Sequence, residues 1–503
     1  MKVLIYTASS LCNPQFGIMM EHAIDYANRG NEVVFCHCDG LMSACSSNFQ
    51  KNKGICKLCK LTFRAGLKNL PNNVKLVGMK PCKEERDYER HGFKSISDIK
   101  AYRYKDVELG FAVMSVYITK TRNPKPAITK EFLTCINIML SEASKLVDAA
   151  ESLIESEKPD IVMFFNGRFF DTKPFHDLSE KRNIKYIVAE NVGGVRADDE
   201  YRMVTFENSI PHDSRVIYEN CLKSWDCSAR SEDDKVKMGI DFYERRRGGK
   251  RAGDYAYTAS QIQGKLPDSF DPNKRNVVIF SSSEDEYSAV TSEIDNYFLF
   301  NSQYEGIKYI CDNIGDEDYH FIVRIHPNMR GLDVEYHRNL YKLRELKNVT
   351  VIAPEETVSS YALMDAAYNI VVFGSTIGAE SLFWGKPVVL LGFAEYYDWG
   401  VCSIPKSKAE VIEMIKNPKL YPGAREIAIK YGYFFLDNSL AQKAKHIDIT
   451  PKKAVYFGKL VYVFDYLKLM SSRRLYKLVS GLFNKVLCLL YRNGIMYPEK
   501  IRN

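Results

Sequence analysis

The chain has 503 residues, too many for one ordinary hydrophobic core, so two or three domains are expected. Hydrophobic residues make up 46% and charged residues 26% of the sequence, a balance that excludes an intrinsically disordered protein. The net charge is +7, but residues 451–503 alone carry +9, so the rest of the chain sums to −2. This distribution excludes a broad nucleic-acid-binding surface on the body of the protein.

The amino terminus has no pattern of a secretory signal, because Met1-Lys2 leads straight into the strand-like run VLIYTAS without a cleavage site. No stretch reaches the roughly 18 uninterrupted apolar residues that a membrane-spanning helix needs. These two features predict a cytoplasmic protein.

The first part of the chain alternates between predicted strands and helices. The predicted strands span 2–9, 32–36, 73–79, 160–167 and 184–190, and the predicted helices span 18–29, 131–157 and 173–182. The first strand, helix and next strand have the length of a right-handed βαβ crossover.

A cysteine-rich insertion covers residues 36–59. Four of its thiols can complete the tetrahedron of a structural zinc site, namely Cys38, Cys45, Cys56 and Cys59. The alternative is a set of reduced thiols in a surface insertion, as expected in a reducing compartment. A catalytic metal is not expected here, because four thiolates leave no open coordination position.

The α/β pattern restarts in the second half. Residues 230–275 are polar and include RRRGGKRAGD, which predicts a linker or mobile loop. Five strands follow, over 277–283, 319–327, 349–354, 368–374 and 387–392, separated by helices over 288–313, 333–345, 357–366 and 377–384.

This pattern predicts an α/β protein with two Rossmann-like, doubly wound domains that face each other across a cleft. The predicted amino-terminal domain spans 1–229 and the carboxyl-terminal domain spans 276–440, with a basic helical tail over 441–503. In such sheets ligands bind beyond the carboxyl ends of the strands, and a cleft between two domains is a common place for a site.

Polar residues follow the predicted strands of the second domain. They are Ser282, Ser283, Arg324, His326, Pro327, Gly374, Ser375, Thr376 and Glu380. Hydroxyls beside a helix N-terminus favour phosphate, Gly374 permits close approach of a ligand, and Glu380 can accept bonds from ribose hydroxyls. Arg324 and His326 can hydrogen-bond a diphosphate or a leaving phosphate.

Each of these features also has an ordinary structural explanation. A Ser-Thr pair before a helix is commonly an N-cap, a His-Pro dipeptide after a strand is often a turn, and Glu380 can be a solvated helix residue. Their joint occurrence at the strand ends of one sheet favours a nucleotide site.

The segments VRIHPN (323–328) and GSTIGAESLFWGKPVVLLGFAEYYDWG (374–400) resemble the capsule polysaccharide biosynthesis glycosyltransferases. These are similar to bacterial Kdo and sialic acid transferases of the two-Rossmann (GT-B) architecture. The resemblance covers about 275–440, and it implies that His326-Pro327 and Ser375-Thr376 surround the phosphate of the donor, with Glu380 as the helix carboxylate. It also implies that no cofactor is required for catalysis.

The sialyltransferases have their general base in a short acidic-Gly motif of the amino-terminal domain, and its nearest counterpart here, Asp39-Gly40, lies beside the cysteine insertion. We therefore place the base elsewhere in the first domain: Glu190, at the end of a predicted strand, is the first choice and Asp171 the second. Either carboxylate can instead cap a helix or pair with Arg168 or Arg196.

Residues 455–491 mix aromatic and aliphatic residues with Lys and Arg at helical spacing, and they predict basic amphipathic helices on an anionic membrane surface. The alternative is that their apolar face packs on the first domain.

The sequence as a whole predicts a glycosyltransferase that is peripheral at the inner face of the cytoplasmic membrane. It would move a sugar from a nucleotide-sugar donor, with a CMP-sugar favoured and UDP- or GDP-sugars next, to a glycan or glycolipid acceptor of a surface polysaccharide. The alternatives are a hydrolysing sugar-nucleotide epimerase and a non-catalytic assembly protein of the same architecture.

Overall fold

The computed structural model describes residues 1–11, 15–48, 53–81, 90–192, 202–252, 257–315, 317–437, 442–448 and 500–501. The chain divides into two compact units. Unit 1 comprises Met1–Thr121, Pro126–Pro211 and Ala441–Asn503, and unit 2 comprises Arg122–Lys125 and His212–Leu440.

The strands of the described residues are numbered in chain order. They are β1 (Lys2–Thr7), β2 (Glu32–His37), β3 (Val74–Gly78), β4 (Ile161–Phe165), β5 (Lys185–Val192), β6 (Arg202–Glu207), β7 (Arg275–Phe280), β8 (Tyr319–Arg324), β9 (Val349–Ile352), β10 (Asn369–Val372), β11 (Val388–Leu390), β12 (Gln442–Lys443), β13 (Ile447–Asp448) and β14 (Lys500–Ile501).

The α-helices are numbered in the same way. They are α1 (Gln15–Asn28), α2 (Lys53–Leu67), α3 (Ile96–Lys100), α4 (Leu109–Thr121), α5 (Lys130–Glu157), α6 (Lys173–Lys181), α7 (Ser214–Asp226), α8 (Glu232–Arg247), α9 (Glu284–Tyr287), α10 (Ser292–Asp295), α11 (Gln303–Asn313), α12 (Glu335–Tyr341), α13 (Ser360–Ala366), α14 (Ile377–Phe383), α15 (Lys408–Lys416) and α16 (Ala424–Asp437).

Unit 1 is built on a seven-stranded sheet in the order β12-β6-β5-β4-β1-β2-β3. The strands from β5 to β3 in this order are parallel, and β6 and β12 add an antiparallel edge. The central strand β4 is an apolar run that is buried throughout, and β1 is buried from Val3 to Thr7, as expected for a parallel sheet covered on both faces.

A buried carboxylate joins residues 445–447 of unit 1 to its first helix. Glu21 on α1 is 3% exposed, and its two oxygens accept hydrogen bonds from the backbone N–H groups of Lys445, His446 and Ile447 at 2.5–3.1 Å. One side chain thus satisfies three consecutive backbone donors. We call the Glu21 carboxylate and these three N–H groups the Glu21 nest.

Unit 2 is built on a five-stranded, fully parallel sheet in the order β11-β10-β7-β8-β9. All five strands coincide with strands predicted from the sequence. The predicted helix over 288–313 is instead divided into α10 and α11, because Thr291 and Ser302 cap new helix N-termini within it.

The segment predicted as a linker, 230–275, begins with the helix α8. Ser231 caps it by accepting a bond from the N–H of Asp234, acids fill its first turn and three arginines fill its last turn, so its charges complement the helix dipole. Its narrow apolar face, with Phe242 and Tyr243, packs against α16. Because this segment is highly charged, its narrow apolar face could not be recognised from the sequence.

The unit boundaries also differ from the predicted domains. Unit 2 begins at His212 and takes in α7 and α8 as well as Arg122–Lys125, whereas a first domain over 1–229 was predicted. Most of the tail predicted to form amphipathic helices, residues 449–499, lies outside the described residues. Within the described part of the chain, no helix has both the length and the apolar character to cross a bilayer.

Candidate functional site

His326 lies at the carboxyl edge of the unit 2 sheet, just beyond β8. Its backbone N–H donates to the hydroxyl of Ser281, which follows the neighbouring strand β7, at 3.0 Å. Its Nδ1 accepts a hydrogen bond from the N–H of Asn328 at 3.2 Å, so the neutral ring carries its hydrogen on Nε2. The ring of Tyr257 contacts the imidazole edge-on, with centroids 5.0 Å apart.

Three guanidinium groups of unit 2 act electrostatically on His326. Desolvation, together with the positive charges of Arg324, Arg122 and Arg246, lowers the pKa of His326 to about 4. The imidazole is therefore neutral at neutral pH and offers Nε2–H as a donor. We call these three arginines around His326 the arginine cluster. An anion bound here meets fixed positive charge and a neutral donor.

Arg122 was not predicted from the sequence. Its Nε donates to Asp285 Oδ2 at 2.9 Å, and its Nη2 donates to the Ser283 hydroxyl at 2.6 Å. Its Nη1 reaches the carbonyl of Asn328 at 3.4 Å. Arg122 thus fixes both strand-end loops that flank His326. No motif marks it, because it is one arginine in a charged stretch about 200 residues away in sequence.

We expect Arg122→Ala to weaken nucleotide binding about tenfold, which is the effect expected from the loss of its charge-assisted hydrogen bonds. We also expect the substitution to raise the pKa of His326. Arg122→Lys should restore only part of the affinity, because an ammonium cannot hold Asp285 and Ser283 together. Calorimetry measures the affinity, and histidine NMR titration measures the pKa. Arg338→Ala, which removes an exposed ion pair with Asp333, is the control. If the pKa of His326 is unchanged in Arg122→Ala, Arg122 does not act on the imidazole and does not belong to the cluster.

The predicted serines after β7 have partners inside unit 2. The backbone of Ser282 exchanges two hydrogen bonds with the side-chain amide of Gln303, both at 2.8 Å. The Ser283 hydroxyl donates to Asp285 Oδ1 at 2.6 Å while it accepts from Arg122. Their role as phosphate ligands stays a prediction, and the contacts described show them shaping the strand-end loop.

Arg324 is 2% exposed and supports the neighbouring loop. Its Nη1 donates to the carbonyl of Ala353 at 2.8 Å and its Nη2 to that of Glu356 at 3.1 Å. Its Nε has no hydrogen-bond partner among the described residues. Burial lowers the pKa of Arg324 to about 10, so the side chain stays charged at neutral pH. Pro327 begins the 3-10 turn Pro327–Met329 that follows His326.

Gly374-Ser375-Thr376 forms the turn between β10 and α14. Gly374 has φ +127°, and a Cβ there would lie 2.3 Å from the carbonyl oxygen of Phe393, so only glycine fits without displacement. The Ser375 hydroxyl accepts from the N–H of Ile377 at 3.4 Å. The Thr376 hydroxyl accepts from Arg246 Nη2 at 3.3 Å, which links this turn to the arginine cluster.

Glu380 is buried and faces Arg246 and Tyr361 in this structure. Arg246 Nε donates to Oε1 at 3.0 Å, and the Tyr361 hydroxyl donates to Oε2. The carboxylate therefore holds Arg246 beside Thr376, and its predicted contact with ribose stays a prediction. It is not the solvated helix residue considered as an alternative, since it is 3% exposed. Arg246 was not predicted as a site residue, because the sequence of its helix was interpreted as a linker.

The two carboxylates predicted as general base lie in unit 1. Glu190, on β5, accepts from Asn166 Nδ2 at 2.8 Å and from the N–H of Asn191 at 3.0 Å. Asp171 is 1% exposed, and its Oδ2 accepts from the N–H and hydroxyl of Ser46 at 2.8 and 2.6 Å. Burial raises the pKa of both carboxyls. A raised pKa suits a base, and the more accessible Glu190 keeps its first place as a prediction.

The four cysteines predicted to bind zinc interact electrostatically with one another in unit 1, and burial raises the pKa of the Cys38 thiol to about 12. Asn48 Nδ2 donates to Cys56 Sγ at 3.1 Å, and Ser10 donates to Cys59 Sγ at 3.4 Å. Among the described residues, the set of potential metal ligands within 4.8 Å of each other is instead His176, Asp177 and Glu180.

One member of that second set already pairs with an ammonium group, because Lys173 Nζ lies 2.8 Å from Asp177 Oδ1. Zinc at the cysteines stays a prediction, which metal analysis of the purified protein would check.

Comparisons with solved structures give weak overall likenesses. Thermosulfurimonas dismutans KpsC, a beta Kdo 2,4 transferase, has a TM-score of 0.36 at 17% identity, with 55% of this chain and 79% of that chain covered. The Neisseria meningitidis UDP-GlcNAc 2-epimerase bound to UDP-GlcNAc has a TM-score of 0.27 at 13% identity, with 88% and 99% covered. A search of curated proteins finds no match.

A family model matches part of unit 2. The model described as "Capsule polysaccharide biosynthesis protein" matches residues 249–421, which span β7 to β11 and include His326, Ser375 and Thr376. The match covers 173 of the 503 residues, and over this segment the chain is similar to the capsule polysaccharide biosynthesis family.

Proposed function

We propose that this protein is a glycosyltransferase that moves a sugar from a nucleotide-sugar donor to a growing surface polysaccharide. The observation that carries the proposal is the arginine cluster around His326 at the carboxyl edge of the unit 2 sheet. A CMP-sugar is the favoured donor, and the family match supports the assignment to polysaccharide synthesis.

The cluster supplies what a leaving phosphate requires. Cleavage of the bond between the sugar and the phosphate leaves negative charge on phosphate oxygens, and preorganised donors lower that barrier. Arg246 is held in place by Glu380, Arg122 by Asp285, and His326 Nε2–H by the bond that Asn328 donates to Nδ1. None of these groups has to reorganise when the charge develops.

The acceptor hydroxyl must lose a proton when it attacks the sugar. In our proposal Glu190 receives this proton, since burial raises its pKa and so strengthens it as a base. Asp171 is the second choice, because its carboxylate is enclosed and already accepts two bonds from Ser46.

A thermal-shift panel of CMP, UDP, GDP and CDP tests the donor site. We expect stabilisation first by CMP and next by UDP or GDP, since a ligand that binds only the folded state raises the melting temperature. The double variant His326→Ala/Ser375→Ala should lose both the shift and transferase activity. Arg338→Ala, with its exposed ion pair, is the control.

The outcomes separate the alternatives. Stabilisation that persists in the double variant would reject this site. Product formed from the sugar nucleotide without any acceptor glycan would identify an epimerase. An absence of stabilisation by every nucleotide would favour a non-catalytic assembly protein.

We further propose that the protein acts at the inner face of the cytoplasmic membrane, on a glycan or glycolipid acceptor. The support is the net charge of +9 over residues 451–503. Electrostatic binding predicts that the full chain sediments with anionic vesicles at low salt and is released at high salt. Equal sedimentation with neutral vesicles would contradict this mode of binding.

A further inference from the structure

The cysteine-rich insertion brings thiols to the carboxyl edge of the unit 1 sheet. Cys38 directly follows β2, and Ser10 lies just beyond β1, the parallel neighbour of β2. The N–H of Ser10 donates to Cys59 Sγ at 3.4 Å, and its hydroxyl donates to the Cys59 carbonyl at 2.8 Å. Neighbouring strands lie less than about 5 Å apart, so these bonds hold Cys59, on α2, at the strand end that carries Cys38.

Asn48 connects two further cysteines to this place. Its N–H donates to the carbonyl of Cys45 at 2.9 Å, and its Nδ2 donates to Cys56 Sγ at 3.1 Å. Cys56 lies one turn before Cys59 on α2, and Cys45 interacts electrostatically with both Cys38 and Cys59. N–H donors aimed at cysteine sulfur suit a sulfur that carries negative charge, as a metal-bound thiolate does.

A buried phenol beside these thiols has an unused hydroxyl. Tyr6 lies on β1, is 0% exposed and stacks on Phe175 with ring centroids 4.1 Å apart. Its hydroxyl has no hydrogen-bond partner among the described residues. Burial raises the pKa of Tyr6, and the charges of Cys38 and Cys45 add to this effect, so the hydroxyl lies near both thiols. An unsatisfied buried hydroxyl is costly, and the sulfur of a metal centre would accept its hydrogen.

The spacing of the four sulfurs distinguishes between two kinds of thiolate centre. A single zinc ion bonds each sulfur at about 2.3 Å in a tetrahedron, which places the sulfurs about 3.8 Å apart. In the described part of the chain, no three of these sulfurs come within 4.8 Å of one another. An iron–sulfur cluster divides its four thiolates among two or four irons, and ligands on different irons lie farther apart than the ligands of one ion.

The loop over residues 39–48 depends on this edge of the sheet for its position. Ser43 donates through its N–H and its hydroxyl to Glu142 on α5, at 2.6 and 2.9 Å. Ser46 donates in the same way to Asp171, at 2.8 and 2.6 Å. Two buried carboxylates therefore hold the middle of the loop, whereas its two ends carry cysteines and Asn48.

We propose that an iron–sulfur cluster fixes both ends of this loop and joins them to α2, with four ligands: Cys38, Cys45, Cys56 and Cys59. Its role is structural, because the four thiolates leave no iron with an open position for a substrate. The four thiols lose their protons when the cluster binds. All of these residues belong to unit 1, so the inference does not depend on the proposed donor site in unit 2.

Metal analysis of the full chain, purified under exclusion of oxygen, tests the proposal. We expect iron and acid-labile sulfide in equal amounts, about two or four of each per chain, and a broad visible absorption that dithionite bleaches. The double variants Cys38→Ser/Cys45→Ser and Cys56→Ser/Cys59→Ser should each lose the iron, the sulfide and the absorption. The control is Cys227→Ser, at an exposed cysteine of unit 2, which should keep all three.

Reconstitution of the metal-free full chain with ferrous iron and sulfide is the second measurement. The wild type should regain the visible absorption, and neither double variant should do so. The wild-type result decides the proposal even where a double variant fails to fold. A single zinc ion bound through the same cysteines would overturn the cluster in favour of the ion predicted from the sequence. Absence of iron after both purification and reconstitution, or unchanged iron in both double variants, would also overturn the inference.

Discussion

Replacing Glu380 by alanine is expected to destabilise unit 2 by about 3–5 kcal/mol, the cost of leaving a buried charge without its partner. Arg246 and Glu380 side chains are 11% and 5% exposed, and the Tyr361 hydroxyl shares the carboxylate. The three tryptophans of the chain, Trp225, Trp384 and Trp399, all lie in unit 2. Denaturant unfolding followed by tryptophan fluorescence therefore reports on this unit.

A double variant distinguishes two causes of the lost stability, the unpaired buried charge and the lost side-chain packing. Arg246→Met/Glu380→Leu removes both charges and should recover most of the stability lost in Glu380→Ala, because apolar residues can replace a buried ion pair at little cost. It should not recover nucleotide binding, since the arginine cluster has lost one guanidinium. A double variant as unstable as Glu380→Ala would show that the ion pair is not the cause of the loss.

Replacing Glu21 by alanine is expected to destabilise unit 1 by about 3–5 kcal/mol. The change removes the acceptor of the Glu21 nest and leaves the N–H groups of Lys445, His446 and Ile447 without it, and hydrogen bonds to a charged group each contribute about 1.5–3 kcal/mol. Hydrogen exchange at residues 442–447 should speed up, and far-ultraviolet circular dichroism should detect earlier unfolding. Tryptophan fluorescence, which reports on unit 2, should change little.

The matched control lies on the same helix. Asp25 on α1 pairs with Arg29 at 2.6 Å, one turn apart and partly exposed, so Asp25→Ala should cost less than about 1 kcal/mol. Unchanged exchange at 442–447 in Glu21→Ala would show that the nest does not hold this segment.

The architecture could be predicted from the sequence to a large extent. The five strands of unit 2 are apolar runs bounded by Gly, Ser and Pro, and each lies where the pattern predicts it. The strand ends that carry His326, Ser375 and Thr376 were identified because parallel strands bring their carboxyl ends to one edge. The family resemblance predicted from these motifs is confirmed by the match over residues 249–421.

The side chains that complete the site could not be predicted in this way. Arg246 lies on a helix whose apolar face is only a narrow stripe among charges, and composition alone indicated a linker. Arg122 reaches Ser283 across a sequence separation of 161 residues, which no local pattern encodes. Glu380 was recognised as part of the site, but its two partners depend on tertiary packing.

The antiparallel edge of unit 1 has a consequence for synthesis of the chain. Strand β6 is complete at Glu207, whereas its partner β12 begins at Gln442, after the whole of unit 2 has been translated. At about 5–20 residues per second this interval lasts on the order of tens of seconds. During that time Arg202 and Met203 at the edge of β6 and the Glu21 carboxylate lack their final partners, so a nascent chain exposes more of this strand edge than the folded protein does, which favours association with other chains. We expect this window, rather than the mature fold, to set how strongly expression depends on chaperones.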